Sequence, residues 1–401
     1  TASYGKYIYG ESSDPTASEK LEWSLRWNHN QAITPTSRFD AKLEFVSGSN
    51  ISRNITNFNE FLRNEARSNA TYTKNWEESG NSLSINYSRV QEFESNDITE
   101  VLPSVNFTLA QKYPFRDNTG TQEWYETFGY SYSGQFQNNR NKVDSDLKIR
   151  GGIQHNINAS LSPKIGYFSI SPNFRYNESW YNKQITRNTA YNDTGAYYIK
   201  TDDVKKIDQV RTFSMGVSAS TKFYGMFNIN ALGVNAVRHI VTPSLSYNYA
   251  PDFSTPFWGY YDSYKDSSGN VVEYSKFEQE IFGKPTNQET QSINFSLGNQ
   301  FEMKTNIDPT DTTSKENKFQ LLNLSASMGY NFAAKSYKFS DLNLSYRTQL
   351  GSLISFSGSS TFSPYDHDET GRVDRYLASH GKGLFRLTNT NFSISLSLSG
   401  D

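Results

Sequence analysis

Leu21-Glu22-Trp23-Ser24-Leu25-Arg26-Trp27-Asn28 places its apolar side chains on odd numbers and its polar ones on even numbers. Successive side chains of an extended chain point to opposite faces, so this stretch is a strand with one apolar and one polar face. The same split recurs at Phe39, Ala41, Leu43 and Phe45, interleaved with Asp40, Lys42 and Glu44. Near the end Phe392, Ile394, Leu396 and Leu398 alternate with serines. Further runs lie at 83–87, 105–109, 128–132, 213–219, 245–249, 293–297, 322–332 and 342–346.

A soluble antiparallel sandwich also alternates. Two features favour a membrane barrel over it. Many runs continue for about ten residues, the length of a tilted membrane strand, against five or six for an ordinary one. Connections also tend to alternate in length, with short turns near Pro35, Gly80, Pro163 and Gly351 and long loops at 11–20, 50–64, 178–206, 251–287 and 363–382. That is the pattern of periplasmic turns and extracellular loops. The segments 111–122 and 305–317 depart from it. The expected fold is all-β: a large antiparallel transmembrane outer-membrane β-barrel with roughly sixteen to twenty strands in this segment.

Composition agrees. The 401 residues are 35% hydrophobic and the mean hydropathy is -0.71, which would suit disorder. Disordered chains are poor in aromatics, whereas this one has 27 Tyr, 27 Phe and six Trp. A barrel in lipid reconciles the two, because only every second residue must be apolar. No run approaches the ~20 apolar residues of a membrane helix. The least polar stretch, 225–237, is interrupted by Asn228, Asn230 and Asn235. The first ten residues read as a strand and the last three as an abrupt stop. The chain is therefore expected to be a single barrel segment, 1–401, lacking an N-terminal periplasmic domain and C-terminal strands.

Few kinds of chemistry fit. A net charge of -2 with both signs dispersed gives no stripe for nucleic acid. The absence of cysteine removes thiol catalysis and zinc–thiolate sites. His29, His155, His239, His367 and His380 are too scattered for a metal cluster. Asp366-His367-Asp368-Glu369-Thr370-Gly371 begins like a calcium loop, but its twelfth position is Leu377, so it reads as an acidic turn. No nucleophile elbow, phosphate loop or dinucleotide fingerprint is present. No enzymatic activity, cofactor or metal is expected. Pro103, Pro163, Pro172 and Pro243 lie in or beside strands and mark bulges, strand ends or places where the wall is loosened. A lumen of this width needs water or a plug to fill it.

Arg238-His239-Ile240-Val241-Thr242-Pro243-Ser244-Leu245-Ser246-Tyr247-Asn248-Tyr249-Ala250-Pro251-Asp252-Phe253 resembles a motif of the LptD family of lipopolysaccharide-assembly outer-membrane proteins. There too a strand ending in Tyr-x-Tyr-x-Pro precedes a long loop. Gln111-Lys112-Tyr113-Pro114-Phe115, Trp124-Tyr125-Glu126 and Leu384-Phe385-Arg386-Leu387-Thr388-Asn389 are less specific supports. The resemblance runs from about Trp23 to the end. It implies a translocon component that inserts lipopolysaccharide into the outer leaflet through a lumen and a lateral seam. It also implies an LptE-like plug lipoprotein, periplasmic bridge proteins and surrounding outer-membrane lipid as partners. The family's disulfide cysteines and the prolines of its gate have no counterpart here. The alternative is a general importer or porin-like channel.

Within this reading Arg26, Asp40, Lys42, Glu44 and Arg347 are expected to face the lumen. Trp23, Leu25, Trp27, Phe392, Ile394 and Leu396 are expected to face lipid. Arg26, Lys42 and Arg347 are candidates to meet phosphates, with structural pairing to Asp40 or Glu44 as the plainer role. The loop 251–287, with Trp258, Tyr260, Tyr261 and Tyr264, is too aromatic for a solvated tether and is expected to fold over the lumen mouth or against another protein.

Overall fold

The computed structural model describes residues 1–9, 18–47, 65–93, 95–117, 122–231, 234–305, 318–350, 354–369 and 371–396. The expected loops at 11–20 and 50–64, the long segment 305–317 and the turn near Gly351 lie largely or wholly outside these residues. The first strands are β1 (Ala2–Tyr9), β2 (Ser18–Thr34), β3 (Ser37–Val46), β4 (Glu65–Trp76), β5 (Asn81–Glu92) and β6 (Ile98–Lys112). Then follow β7 (Gly129–Val143), β8 (Asp146–Ser160), β9 (Lys164–Ile165), β10 (Phe168–Tyr191), β11 (Tyr197–Ser220), β12 (Phe223–Ala231) and β13 (Val234–Ala250). The chain continues through β14 (Tyr261–Lys265), β15 (Val271–Ser275), β16 (Thr290–Thr305), β17 (Lys318–Asn331) and β18 (Leu342–Leu350). It finishes with β19 (Ile354–Ser363), β20 (Tyr365–Asp368), β21 (Gly371–Tyr376) and β22 (Arg386–Leu396).

Eighteen of these strands form one antiparallel sheet, within the range read from the sequence. Each long strand pairs with its neighbour in the chain, and β12 continues the line of β11 along β13. The pairs β14–β15 and β20–β21 are separate hairpins. The sheet is open: no pairing between described residues joins β1 to β22.

Most turns at one end of the sheet are short because their residues suit them, the 113–128 connection between β6 and β7 being the exception. Thr34 opposes Ser37 across Pro35-Thr36, and Trp76 opposes Asn81 across a turn whose Gly80 has φ +68°. A left-handed φ there carries no Cβ penalty. The prolines mark irregularities in the ladder. Pro103 falls in the register shift between Val101 and Ser104. Pro172 lies one residue beyond the β8–β10 pairing, and Pro243 lies where β11 hands over to β12. Bulges and strand ends are where a missing donor is cheapest.

One expectation is overturned. The segment 178–206 is not a long loop but the upper half of the β10–β11 hairpin, closed by a turn at 192–196. Each strand has 24 residues, roughly 80 Å of extended chain. An outer-membrane apolar band is only about 25 Å tall, so the hairpin stands well clear of it. Beyond the band neither face meets hydrocarbon, one being open to water and the other partly covered by the 251–289 connection, so strict alternation is not required and the sequence there looks like loop.

A single-layer wall buries little by itself. The largest fully buried side chains therefore concentrate where connections fold back on it, Tyr365, Phe253, Phe277 and Ile185 among them. Phe253, Tyr260 and Phe277 pack with Tyr181 and Val210 of the hairpin.

Candidate functional site

Register decides which residues share a face. Arg26 opposes Glu44, Asn28 opposes Lys42 and Asn30 opposes Asp40, all on one face of β2 and β3. Leu25 opposes Phe45 and Trp27 opposes Leu43 on the other. The Arg26 Nε donates to Glu44 at 2.9 Å. Asp40 is taken instead by Arg38, at 2.6 Å, whose Nη2 also reaches Asn30. Lys42 stands exposed on the same face. Arg347 lies between Asn323 and Ser357, amid a face of Asn and Ser.

The apolar set is equally consistent. Trp23 opposes Tyr4, and Trp27 stacks on His29 with ring centres 5.3 Å apart. Ile394 opposes Phe356, and Phe392 opposes Gly358. A Cβ on Gly358 would meet the Tyr346 ring at 2.5 Å, so glycine lets that ring lie across the strand. Phe392, Ile394 and Leu396 are 68, 65 and 61% exposed, an apolar surface that water would leave unsatisfied. Arg or Lys placed there at mid-bilayer would cost about 2–4 kcal/mol.

Cysteine substituted for Arg26, Lys42 or Arg347 is expected to react with a bulky aqueous thiol reagent in outer-membrane fragments. Cysteine at Trp23, Leu25, Phe392 or Ile394 should remain unlabelled there and react only after detergent denaturation. Equal labelling of both sets would remove the assignment of faces.

The strand carrying the motif, β13, spans the wall from end to end. Arg238 faces the polar side, where its Nε donates to Glu302 at 2.8 Å. His239, Pro243, Tyr247 and Tyr249 alternate onto the apolar side, with His239 stacked on Phe301 at 4.1 Å. His239 also meets Asn299 at 3.1 Å. At the far end Pro251 leaves the sheet, and the Asp252 carboxylate accepts from the Ser254 amide, turning the chain into the 251–289 connection.

That connection covers the polar side of the tall hairpin. The Tyr260 hydroxyl accepts from the Arg211 amide at 2.8 Å and donates to its carbonyl at 3.1 Å, capping backbone groups on a free edge of β11. The Ile185 amide donates to the Lys276 carbonyl, and the Arg187 amide to the Tyr274 hydroxyl, on the free edge of β10. The connection thus takes up backbone groups on both unprotected edges, at Arg211 and at Ile185 and Arg187, where stray strand pairing could otherwise begin. Burial pushes the Tyr261 hydroxyl up to about 12, with Glu273 and Asp252 adding to the shift.

Charge complements the packing. Arg150, at the top of β8, holds Glu280, Gln279 and Asp203 together, the last at 2.6 Å. Lys183 joins Asp203 at 3.3 Å, and Arg187 pairs with Glu278. The Glu280 side chain is fully buried, and burial raises its carboxyl above the usual range despite Arg150. These partners were invisible in the sequence, since Arg150 and Glu280 are 130 residues apart. The aromatic density of the loop was the only local signal.

A second cap forms between 332–341 and 364–385. Tyr365 and Tyr376 face each other at 5.2 Å, and the Tyr365 hydroxyl oxygen accepts from the Phe339 amide at 2.7 Å. Arg372 lies over the Tyr365 ring and pairs with Asp341 at 3.1 Å. Asp366, first residue of the acidic turn, is taken by Lys382 and Arg375 at 2.9 and 2.7 Å. Lys382, the His367 amide and Arg375 hold its carboxyl well below the usual carboxylate range.

A carboxyl with a depressed folded-state value stabilises above its unfolded value and loses that contribution as pH falls through the folded one. The second cap should therefore resist protease from neutral pH down to about pH 4, the ordinary aspartate range, and loosen only below it. Asp366→Asn should loosen it at pH 7 and abolish the acid dependence. An acid-independent cleavage rate in the unmodified protein would contradict this role.

A sheet of long antiparallel strands, apolar on one face and polar on the other, with mostly short turns at one end and folded caps at the other, defines an outer-membrane β-barrel protein. The family model described as LptD protein matches residues 1–365, and the chain belongs to that family. It is an integral outer-membrane protein of a transport and assembly family. No curated protein matches the sequence. Among solved structures, CdiB from Acinetobacter baumannii is 10% identical, with a TM-score of 0.28, covering 99% of this chain and 65% of its own. The siderophore receptor PirA from the same organism is 10% identical, with a TM-score of 0.30, covering 98% and 73%. The ferric enterobactin receptor PfeA from Pseudomonas aeruginosa is 11% identical, with a TM-score of 0.30, covering 98% and 72%. At such scores the family match, not the superposition, carries the identification.

Proposed function

We propose that this chain is the outer-membrane translocon component that inserts lipopolysaccharide into the outer leaflet, through a lumen on the polar face and a lateral seam in the wall. The observation that carries the reading is membership of the LptD family along 1–365. The two-faced sheet fits the cargo. Lipopolysaccharide has acyl chains that favour hydrocarbon and a sugar part that favours water. A wall with Asn, Ser, Arg and Lys on one side and Phe, Leu, Ile and Trp on the other separates the two at every level.

The partners follow from the same reading. An LptE-like lipoprotein occupies the wide lumen, and periplasmic bridge proteins deliver lipopolysaccharide to the short-turn end. Arg26 has Glu44 as a partner, so its role is structural. Lys42 and Arg347 are left to meet passing phosphates. The aromatic connection 251–289 lies on the extracellular side, over the mouth. Work to move the cargo comes from an inner-membrane machine. The test is depletion followed by pulse-labelled lipopolysaccharide. Loss of solute uptake with normal surface lipopolysaccharide would make the chain an importer or porin instead.

A further inference from the structure

Beneath the aromatic cap lies a cavity of about 580 Å³, within the range of small-ligand sites. Its floor is a grid of polar residues set by register. Arg175 of β10 has Asn158 of β8 on one side and Ser214 of β11 on the other. One step up the same face, Asn177 has Asn156 and Thr212. Asn177 Nδ2 donates to Asn156 Oδ1 at 2.7 Å, and Ser179 donates to Asn177 at 3.2 Å, which orients the amides.

The roof is the segment 282–286, with Phe253 beside it. It is pinned at three points. The Tyr181 hydroxyl donates to the Gly283 carbonyl at 3.0 Å, the Tyr261 hydroxyl to the Pro285 carbonyl at 2.5 Å, and the Phe253 amide to the Thr286 carbonyl at 3.1 Å. Two cations enter the cavity, Arg175 from the floor and Lys284 from the roof. Neither has an ion-pair or hydrogen-bond partner among the described residues. The contrast with the level above is sharp, because there Arg150, Lys183 and Arg187 all have carboxylates.

Oriented amides and hydroxyls on one side, aromatic rings on the other and two unneutralised cations match one ligand chemistry. Sugar hydroxyls take the amides, the apolar face of a pyranose takes a ring, and a phosphate or carboxylate substituent takes the cations. We infer that this cavity is a binding site for an anionic oligosaccharide. In the lipopolysaccharide reading, on which the choice of glycan rests, it receives a charged sugar of the cargo just before exit.

The experiment places a photoreactive residue at Thr212, inside the cavity, and at Ser357, on the same polar face beside Arg347. Both are made in the full-length protein in living cells, and crosslinks to lipopolysaccharide are scored with an antibody to it. The expected result is a stronger crosslink at Thr212 than at Ser357, and its selective loss with Arg175→Gln/Lys284→Gln. Chemically dephosphorylated lipopolysaccharide, offered to the purified complex, should lose the preference as well. Heat-modifiable gel mobility checks that the double variant still folds, and Arg175→Lys should restore part of the yield. Equal crosslinks at both positions, or a Thr212 crosslink indifferent to the two cations, would overturn the site while leaving translocation standing. No lipopolysaccharide crosslink at either position would overturn the translocation reading and the site together.

Discussion

Depleting this protein is expected to stop newly made lipopolysaccharide from reaching the cell surface while synthesis at the inner membrane continues. The expectation rests on three links. Alternation with register makes the chain a two-faced wall. The wall belongs to the LptD family. The cargo, finally, is amphiphilic on the same scale as the wall. Pulse-label should accumulate in inner-membrane and periplasmic fractions, and the outer leaflet, short of lipopolysaccharide, should admit hydrophobic antibiotics. An importer would show the reverse: unchanged surface label and a lost solute. Arrival of label at the normal rate after depletion would sink the assignment however well the barrel fits.

The second large effect is local. Arg150→Ala should release the 276–286 segment from the tall hairpin. The variant leaves the buried Glu280 carboxylate without its cation, and removing one partner of a buried pair costs about 3–5 kcal/mol. One Glu280 oxygen already lacks a hydrogen bond, and Lys183, the other cation acting on it, is paired with Asp203. The free energy need not unfold the barrel, whose ladder is elsewhere. It should appear as rapid protease cleavage within 251–289 on intact cells.

The pH dependence gives a second readout. Burial raises the Glu280 carboxyl, so its ionised form is the costly one. A carboxyl whose folded value is raised favours the folded state at low pH and loses that contribution as pH climbs through the raised value. The Arg150→Ala defect should therefore shrink on mild acidification, opposite to the second cap, which loosens in acid through Asp366. The double variant Arg150→Met/Glu280→Leu should regain protection at every pH, since an apolar pair of similar volume needs no counter-charge. Unchanged cleavage in Arg150→Ala would show that the aromatic cluster alone holds the cap.

The expected effects separate two kinds of residue. Those on the wall, such as Phe392 or Lys42, act through which solvent they meet. Those in the caps, such as Tyr260 or Glu280, act through particular partners that the fold brings to them.

The sequence determined the wall. In Leu21–Asn28 and its repeats a period of two is forced by the chain itself, because adjacent side chains of a strand must meet different surroundings. That local rule was enough for the all-β class, the approximate strand number and the division of Trp23, Leu25 and Trp27 from Arg26. The rule fails where neither face meets hydrocarbon and one is covered by a folded connection, and so 178–206 read as loop although it is paired strand. Register, too, was beyond it. That Arg26 meets Glu44 while Asp40 goes to Arg38 depends on how two strands slide past each other. The caps were decided only by tertiary structure. Tyr260 reaches Arg211, Arg150 reaches Glu280 and Lys284 comes to share a cavity with Arg175 because a connection of irregular backbone folds back across the wall. No periodicity encodes such contacts, since each joins residues far apart in the chain whose neighbours in sequence carry no trace of the partner.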